Sequence, residues 1–565
     1  MSRRDRTERA GRARTLYLGT LFLPLALQNF LLTYNSTAMN VALSAILDDL
    51  GTTLTGVQAA ISLYSLVVAA FLITGSKLGA RHGHRRVFVL GAEVFVLGTL
   101  LTAFGPNLAY MLVGWSLVQG IGVALMLPAL LSLITREFTG ADRTRALSAL
   151  GTVGGIGAAV GPLLGGVFTH YVSWRASFLM GTVITTVVVL ALRRTPGPGP
   201  DPAASKGPRE PFDAAGSVLS AAGVGLLVVA TLLAGRYGLV RARQDFEVFG
   251  HVLFHRGGPS PVPFLAGAGL VVLAVFAVRE RRLVRSGRDP LVRLSVLRNR
   301  TVRTGSETQA MQYLVPNGIV FLVPVFLQTT LGFDALWCGI TLVATTLGLM
   351  TAAPVAAGLV GGGRVTHRAA QTGSFLLMAA GCVVIAATFD PQVRDETTTG
   401  LAFAPGLFLL GLGQGLATTV TDLIQSAPSP DEVDDVTGLS RSGTYLGSSL
   451  GVALAGAFMA VALLHSFEAG ANGSTVLTPA QKQLVTRTVE EQVQLTAASD
   501  EEIRAELGSR GVTGAAAGEL VRINARAREQ ALAWAGGSMA VLALCGCLVA
   551  GRIPRTRTPG PPPPE

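Results

Sequence analysis

Residues 108–135 read LAYMLVGWSLVQGIGVALMLPALLSLIT and contain no Asp, Glu, Lys or Arg. About 20 mostly apolar residues cross the ~30 Å hydrocarbon core of a bilayer when they form an α-helix. Lipid offers no hydrogen bonds to an exposed backbone, so a spanning segment must satisfy its own peptide groups. The stretch therefore predicts a membrane-spanning helix.

Apolar stretches of this kind recur along the whole chain of 565 residues. They predict an all-α polytopic membrane protein of about fourteen transmembrane helices. The first stretch is too long for a cleaved signal peptide, and no small-residue cleavage pattern follows it. The segments, numbered 1 to 14, cover 16–42, 55–79, 87–106, 108–135, 145–170, 176–193, 213–235, 263–279, 305–331, 336–361, 369–388, 399–425, 438–465 and 529–551.

The composition agrees with a chain surrounded by lipid. Charged residues make up 14% of the sequence, against roughly 25% in an average soluble domain. The apolar content of 50% excludes a disordered chain, and four cysteines are too few for a disulfide-stapled secreted fold.

Arginine marks one side of the membrane. It clusters in the N-terminal tail, in the loops after segments 2, 8 and 10, and in the C-terminal tail. Most loops on the other side are short and poor in arginine, the loop 236–262 being an exception. The positive-inside rule then predicts a multi-pass protein of the cytoplasmic membrane with both termini in the cytoplasm. The net charge of +11 is thus a signal of topology and of attraction to anionic lipids, and it does not indicate nucleic acid.

Loose internal repeats suggest two six-helix halves with a helix pair inserted between them. Gln119-Gly120 of segment 4 recurs as Gln414-Gly415 in segment 12, and glycine-rich segment 5 has a counterpart in segment 13. The predicted organisation is a basic tail 1–15, a first half 16–193, a Pro/Gly-rich linker 194–211, an inserted pair 212–279, a basic loop 280–303, a second half 304–552 with an external hairpin 467–527, and a disordered tail 553–565.

Three motifs carry a family resemblance. The loop after segment 2 reads SKLGARHGHR over 76–85, segment 5 reads GAAVGPLLGG over 157–166, and segment 6 begins with Trp174-Arg175 followed by Phe178. Together they resemble the major facilitator superfamily, and more narrowly its fourteen-helix drug:proton antiporter branch. The resemblance implies a midplane site between two halves. It also implies that conformational change involves a set of motif residues: Gly157, Gly161, Pro162, Gly165, Gly166, Arg81, Gly83 and Arg85.

The glycines of segment 5 allow two interpretations. They form a stripe without side chains, which lets two helix backbones approach closely in lipid. Pro162 removes one helical hydrogen bond, so we expect a bend there. The stripe is either a hinge or seal between the halves, or simply a tight packing surface.

Three positions depart from the family pattern. Asn35 stands where relatives carry a helix 1 aspartate, Ser116 where they carry a helix 4 arginine, and Ala80 where the loop carries an aspartate. Neither an amide nor a serine hydroxyl exchanges a proton in the physiological pH range. The resemblance implies proton antiport, and these three replacements weaken that expectation.

Few acids remain within the apolar segments. A charge at the bilayer centre costs about 2.5–3.5 kcal/mol, so such residues often mark functional paths. The candidates for proton coupling are Asp422, then Glu307, then Glu93. An alternative interpretation of Asp422 is a charge that simply lies near the cytoplasm. An alternative interpretation of Glu307 is an ion pair with Arg303, one helical turn earlier. For Glu93, a packing role is an equally good interpretation.

Amide and aromatic groups at central depth are candidates for a substrate cavity. Such a lining, with few charges, suits amphipathic or neutral organic compounds. Each amide alone is more often an interhelical hydrogen bond, which is the alternative for every member. The candidates are Asn35, Asn40, Tyr64, Gln119, Gln309, Gln312, Tyr313, Asn317, Gln414 and Tyr445.

The sequence contains no catalytic or metal-binding pattern and no phosphate-binding loop of the form GxxxxGK[ST], so we expect neither an enzyme nor a cofactor. We predict a monomeric secondary transporter that exports amphipathic drugs or antibiotics, with protons and membrane lipids as further partners and no nucleic acid. The alternative is a lipid or metabolite translocator without standard proton coupling, or a regulatory protein on a transporter scaffold.

Overall fold

Long helices occupy the fourteen apolar segments, as the sequence predicts. The computed structural model describes residues 3–138, 140–195, 213–238, 240–242, 244–248, 251–288, 290–388, 395–426, 433–478, 482, 504 and 514–554. The α-helices are α1 (Arg3–Ala38), α2 (Leu43–Leu50), α3 (Leu54–His82), α4 (His84–Ala103), α5 (Leu108–Met111), α6 (Gly120–Glu137), α7 (Gly140–Tyr171), α8 (Trp174–Arg194), α9 (Ala214–Tyr237), α10 (Pro261–Arg285), α11 (Arg300–Val325), α12 (Ala335–Gly361), α13 (His367–Thr388), α14 (Glu396–Ala417), α15 (Thr419–Ser426), α16 (Val433–Gly473) and α17 (Ala515–Ala550). Short 3₁₀ turns cover Met39–Val41 and Leu294–Arg298, and π-helical turns cover Leu112–Gln119 and Phe326–Thr330.

The first span is bent, whereas the sequence predicts one continuous helix over 16–42. Thirteen helices in the described ranges are each long and apolar enough to cross a membrane. The fourteenth span is a pair of helices, Gly19–Val41 and Leu43–Leu50, that meet at 72°. The bend falls at Ala42, whose φ of −97° and ψ of 12° lie outside the helical region. Backbone groups near the bend are thereby freed for other partners.

Segment 12 is also broken. Helix α14 ends at Ala417 and α15 begins at Thr419. The hydroxyl of Thr418 donates a 2.7 Å hydrogen bond to the carbonyl of Gly415, a local bond that competes with the helical ladder. Asp422 therefore lies on the short helix α15, after the break and within the candidate span Glu396–Ile424.

Segments 13 and 14 extend beyond their predicted ends. Helix α16 runs to Gly473 and α17 begins at Ala515, so both ends of the predicted hairpin 467–527 belong to the helices themselves. The extensions pack on each other through a cluster that includes Phe467, Leu520 and Ile523. Residues 479–481, 483–503 and 505–513 of that hairpin lie outside the described ranges, as do 196–212 of the linker and 555–565 of the tail.

A small β-hairpin connects the two inserted helices. Strands β1 (Phe246–Val248) and β2 (His251–Phe254) pair in antiparallel fashion within the loop 236–262. The ring centroid of Phe254 lies 5.2 Å from that of Phe264 on α10, so an aromatic contact joins the hairpin to its helix. The sequence analysis predicts only a loop here.

Equivalent helix pairs pack through glycine in both halves. A Cβ atom on Gly161 of α7 would lie 2.0 Å from the hydroxyl of Thr37 on α1. A Cβ atom on Gly447 of α16 would lie 2.0 Å from the carbonyl oxygen of Ala310 on α11. Close approach of small residues is a main source of helix association in lipid. This matched packing agrees with the predicted repeat, while the exact domain boundaries stay predictions.

The inserted helices lie against the seam between the halves. Helix α9 packs on α10 and also contacts α3 of the first half and α16 of the second. Thr74 of α3 donates a 2.9 Å hydrogen bond to the hydroxyl of Ser217 on α9. The pair is therefore attached to both halves at one place.

Candidate functional site

We name the two ends of the helix bundle by their residues. The basic end carries the loop at Arg81–Arg86 and the segment 286–299. The far end carries the bend at Ala42 and the turn 331–334. The arginine distribution predicts that the basic end is cytoplasmic.

Gln328 joins the two halves at the far end. Its Nε2 donates a 2.8 Å hydrogen bond to the carbonyl of Val41, and its Oε1 accepts one of 2.8 Å from the amide of Ser44. The side chain is buried. One amide thus satisfies two backbone groups on either side of the bend in the first span. Gln328 is not among the site residues that the sequence predicts, because its partners are freed by a bend that no local pattern indicates.

Helices α7 and α12 also meet at the far end. A Cβ atom on Gly166 would lie 2.5 Å from the carbonyl oxygen of Ala335, and one on Gly339 would lie 2.5 Å from that of Pro162. His170 and Asp334 approach to 3.1 Å at the same place. Gly166 and Pro162 therefore lie at a contact between the halves.

The other motif glycines of α7 have a different neighbour. Cβ atoms on Gly157 and Gly165 would lie 2.5 Å from the carbonyl oxygen of Phe30 and 2.8 Å from that of Ala38, both on α1. With Gly161, they pack within the first half. Most of the stripe therefore packs within the first half, while Pro162 and Gly166 contact the second half; a role as hinge or seal stays a prediction.

The loop motif after α3 has two structural roles. Gly83, at φ 93°, connects α3 to α4 in a conformation that side chains rarely adopt. Arg85 donates hydrogen bonds to the carbonyls of Leu192 and Thr195 at the end of α8. Arg81 lies in the last turn of α3 and is partly exposed.

An ion cluster connects the halves at the basic end. The buried carboxylate of Asp435 on α16 lies 3.6 Å from Nζ of Lys77 on α3 and 3.8 Å from Nε of Arg293. Ser442 of α16 donates a 2.9 Å hydrogen bond to the carbonyl of Ala69 nearby. The loop motif itself has Ala80 where the family carries an acid. In this cluster the first half supplies the cation, Lys77, and the second half supplies the acid, Asp435. The sequence analysis does not propose Asp435, because this residue precedes the predicted start of segment 13.

Hydrogen bonds continue along the seam between α3 and α16. The hydroxyl of Ser449 donates a 2.8 Å hydrogen bond to the carbonyl of Ser62. The side-chain amide of Gln58 donates a 3.1 Å hydrogen bond to the carbonyl of Val452. Between this position and the basic end lie Tyr64 of α3 and Tyr445 of α16, which are close enough to interact electrostatically. Each half thus contributes one tyrosine to this part of the seam.

Tyr64 belongs to a buried aromatic and amide group. Its ring stacks on Trp115 with centroids 5.3 Å apart. Gln119 lies one turn after Trp115 and is fully buried. Several polar atoms of this group have no hydrogen-bond partner among the described residues: the Tyr64 hydroxyl, Nε1 of Trp115, and both Oε1 and Nε2 of Gln119. Such groups are costly in a closed core and are available to a ligand.

The amides of α11 are mostly paired. Gln309 donates to the hydroxyl of Thr421 at 3.2 Å and accepts a hydrogen bond from Ser440. Gln312 donates to Gln371. Asn317 donates to the carbonyl of Tyr313 at 2.8 Å, and Tyr313 itself is exposed. For this helix, interhelical hydrogen bonding accounts for Gln309 and Gln312 without a substrate.

The remaining cavity candidates differ in their surroundings. Asn35 is buried, and its side chain makes no hydrogen bond within the described part of the chain. Asn40 lies in the 3₁₀ turn, and its side-chain amide donates a long hydrogen bond of 3.4 Å to the carbonyl of Thr37. Gln414 is half-buried on α14. Ser116, in the position of the family arginine, donates a 2.8 Å hydrogen bond to the carbonyl of Ala60 and so ties the π-helical turn to α3.

The three predicted acids lie in different places. Glu93 of α4 forms an ion pair with Arg193 at the end of α8, which is a packing role. Glu307 is exposed, and in the described chain it forms no ion pair with Arg303, so that prediction is wrong. Asp422 interacts electrostatically with His367, which is buried at the start of α13. The structure does not bring the three acids together.

Trp174 and Arg175 anchor the far end of the first half. Both Nε1 of Trp174 and Nε of Arg175 donate 2.9 Å hydrogen bonds to one oxygen of Asp49. Nη1 of Arg175 also donates to the carbonyls of Ala103 and Gly105, at 2.8 Å and 2.7 Å. Two neighbouring side chains at the start of α8 thereby hold the end of α2 and the turn after α4 in place.

Replacing Arg175 with lysine is expected to destabilise the protein in detergent, because a lysine cannot reproduce the planar fork that serves three acceptors. The measurement is the midpoint of thermal unfolding. Arg298→Lys, an exposed position at the basic end, is the matched control and is expected to have no effect. An equal midpoint for both variants would contradict the anchoring role.

Comparisons with known proteins are consistent with this architecture. A profile of the Major Facilitator Superfamily matches residues 25–452. The chain is 29% identical to the "Probable actinorhodin transporter" of Streptomyces coelicolor, over 75% of this chain and 69% of that one. It is 28% identical to the "Cephamycin export protein CmcT" of Amycolatopsis lactamdurans (79% and 86% covered) and 27% identical to the "Multidrug efflux pump LfrA" of Mycolicibacterium smegmatis (76% and 79% covered).

Solved structures share the fold at low sequence identity. One is a bacterial homologue of the human lysosomal transporter Spinster, inward-facing and unoccupied, with a TM-score of 0.58 and 13% identity over 95% of this chain and 98% of that one. Another is an auto-inhibited peptide transporter of the POT family, with a TM-score of 0.55 and 15% identity over 97% and 99% of the two chains.

Proposed function

Because the chain belongs to the major facilitator superfamily, we propose that it exports amphipathic organic compounds, such as drugs or antibiotics, across the cytoplasmic membrane. Export proceeds by alternating access between the two halves and is coupled to protons. The names of the relatives cited above support this class of substrate, since each of the three is a transporter, an exporter or an efflux pump.

The group around Tyr64 is the observation on which the proposal rests. It combines two stacked aromatic rings with a buried amide and contains no charged side chain. Its polar atoms have no hydrogen-bond partner in the described chain, and Tyr445 approaches from the other half. A ligand with an apolar body and a few polar atoms fits such a lining.

Alternating access is supported by separate sets of contacts at the two ends. The far end is joined by hydrogen bonds of Gln328, by close backbone contacts of Gly166 and Gly339, and by the 3.1 Å approach of His170 and Asp334. The basic end is joined by the ion cluster of Asp435. Exchange between states requires that each end can separate while the other holds. With the basic end in the cytoplasm, both termini are cytoplasmic.

Proton coupling rests on Asp422 as the first candidate. It is exposed, interacts electrostatically with His367, and belongs to a helix that starts after a break; such breaks are tolerated where backbone lines a cavity or is buried in protein. Glu307 is the second candidate, because it has no ion-pair partner in the described chain. Glu93 is excluded from the proposal by its pairing with Arg193.

Everted membrane vesicles test the function. Energised vesicles are expected to take up a fluorescent amphipathic cation, and adding that compound should release protons from the lumen. Tyr64→Phe is expected to raise the concentration for half-maximal uptake, since the free hydroxyl is lost, whereas Tyr171→Phe, at a 70% exposed position, should not. Asp422→Asn is expected to abolish proton release.

The outcomes distinguish the alternatives. Proton release that survives both Asp422→Asn and Glu307→Gln would remove these acids as carriers. Uptake without any proton movement would favour a translocator that lacks standard coupling, which the replacement of the family acid by Asn35 would explain. Identical uptake by Tyr64→Phe and the parent chain would exclude the proposed lining.

A further inference from the structure

Two carboxyl groups converge at the basic end of the inserted helix pair. Asp213 immediately precedes α9, with a side chain that is 5% exposed, and Glu280 lies near the end of α10 at 0% exposure. Both face Gly216, since a Cβ atom there would lie 2.3 Å from Oδ2 of Asp213 and 2.9 Å from Oε1 of Glu280. The absence of a side chain at Gly216 makes room for the two acids.

The two acids have unequal numbers of hydrogen-bond donors. Oδ1 of Asp213 accepts from Nη2 of Arg279 at 2.7 Å, from its Nε at 3.1 Å and from the amide of Gly216 at 2.9 Å. Glu280 accepts through Oε2 from the amide of Val292 at 2.9 Å. Its Oε1 is buried and receives no N–H or O–H among the described residues, and it lies near the same Cβ position of Gly216 as Oδ2 of Asp213.

A shared proton satisfies this arrangement. Two buried carboxyl groups that face the same glycine cannot both be ionised without strong repulsion, so such a pair holds one proton between its members. Asp213 already has the donors of an ionised carboxylate. The proton therefore belongs on Oε1 of Glu280, which donates it to Asp213.

The acid pair is connected to the contact between the halves. Val292, whose amide binds Glu280, is followed directly by Arg293, whose Nε lies 3.8 Å from Asp435. Asp435 in turn lies 3.6 Å from Lys77 of α3. The segment between α10 and α11 thus joins the buried acids to the ion cluster at the basic end.

We propose that Asp213 and Glu280 form a proton-binding site that sets the contact between the halves at the basic end according to pH. With the proton bound, Glu280 holds the amide of Val292 and keeps Arg293 beside Asp435. When the proton leaves, the two negative charges repel each other, and the segment at 291–293 separates from the cluster. Among the described residues, Arg279 on α10 pairs with Asp213, while Arg293, Lys77 and Asp435 are the charged groups of the cluster that the segment reaches. The role of this contact in exchange between states rests on the proposed alternating access.

Distance measurements between spin labels test the site without requiring transport. Labels at Arg86→Cys and Arg364→Cys, two exposed positions at the basic end of different halves, report their separation after Cys545→Ser and Cys547→Ser remove the accessible thiols. Between about pH 5.5 and about pH 8.5, where buried acids that share a proton titrate, the longer distance is expected to gain population as pH rises. Glu280→Gln should abolish this shift, because its amide donates to Asp213 and its oxygen still accepts from Val292.

Two further variants complete the design. Asp213→Asn keeps the helix cap and also removes the shared proton, so it is expected to abolish the shift even if Glu280→Gln does not fold. Glu247→Gln, at an exposed position on β1, should leave the shift intact. A pH shift that persists in Glu280→Gln or Asp213→Asn, or a parent chain without any shift, would overturn the proposal. Failure of the export function would appear instead as absent uptake in vesicles, with the distance shift unaffected.

Discussion

Asp435→Asn is expected to lower the export rate in everted vesicles about tenfold, more than any other single charge removal at the basic end. The buried carboxylate attracts Lys77 and Arg293, which come from different parts of the chain. Both cations are partly exposed, so solvent screens the attraction, and a loss of about 1.4 kcal/mol, or tenfold in an equilibrium, is the scale to expect. The amide has the same shape, so the packing of α16 is preserved.

A double-mutant cycle separates this contact from a general loss of stability. Lys77→Ala alone should reduce export, and adding it to Asp435→Asn should cause little further loss, because the interaction is already absent. Asp48→Asn, an exposed acid at the far end, is the control. Additive losses from Lys77→Ala and Asp435→Asn would show that the two residues act independently.

The sequence predicts the spanning helices because their signal is local and redundant. Twenty apolar residues without charge have few alternatives to a helix in lipid, so the fourteen segments and their order are confirmed. The bend at Ala42 and the break at Thr418 are different, since each is a single residue within an apolar run. At Ala42 the freed backbone groups bind the side chain of Gln328 from the other half. At Thr418 a local hydrogen bond from the hydroxyl to Gly415 competes with the helical ladder, and the apolar pattern reports neither feature.

The candidate site is predicted in part. Tyr64 and Gln119 are identified from depth and polarity alone, and the structure places them on the same stacked group through Trp115. The amides of α11 have equal sequence signals, yet the structure gives Gln309 and Gln312 partners on other helices. Hydrogen-bond satisfaction depends on which side chains a neighbouring helix presents, and the sequence of one helix does not contain that information.

The buried acids at the basic end are missed for a related reason. Glu280 stands between Arg279 and Arg281 in a strongly basic stretch, so the composition indicates an exposed loop. In the structure it is the glutamate that turns inward to Asp213, while Arg281 and Arg282 are exposed. Charge patterning predicts a side of the membrane from the sum of a segment, but it does not resolve the one member that is buried.

Substitutions along α7 are expected to separate its two roles, with the largest stability effect at Gly157. A Cβ atom there would lie 2.3 Å from the hydroxyl of Thr33 and 2.5 Å from the carbonyl oxygen of Phe30, and overpacking of this kind costs about 1–3 kcal/mol. Gly157→Ala should therefore lower the midpoint of thermal unfolding in detergent. Gly155→Ala is the matched control, because nothing lies within 4 Å of its Cβ position and alanine favours the helix by about 0.5–1 kcal/mol.

Gly166→Ala is expected to act on the conformational state more than on stability. Its Cβ atom would lie 2.5 Å from the carbonyl oxygen of Ala335 in the other half, so it should separate the far end while the first half stays packed. Spin labels at Val172→Cys and Thr397→Cys, exposed at the far end of the two halves, should then report a longer distance. If Gly157→Ala produced the same separation, or Gly166→Ala the same loss of thermal stability as Gly157→Ala, the stripe would have a single packing role throughout. Separate effects would mean that one helix supplies both a rigid packing surface toward α1 and, nine residues later, the contact that opens.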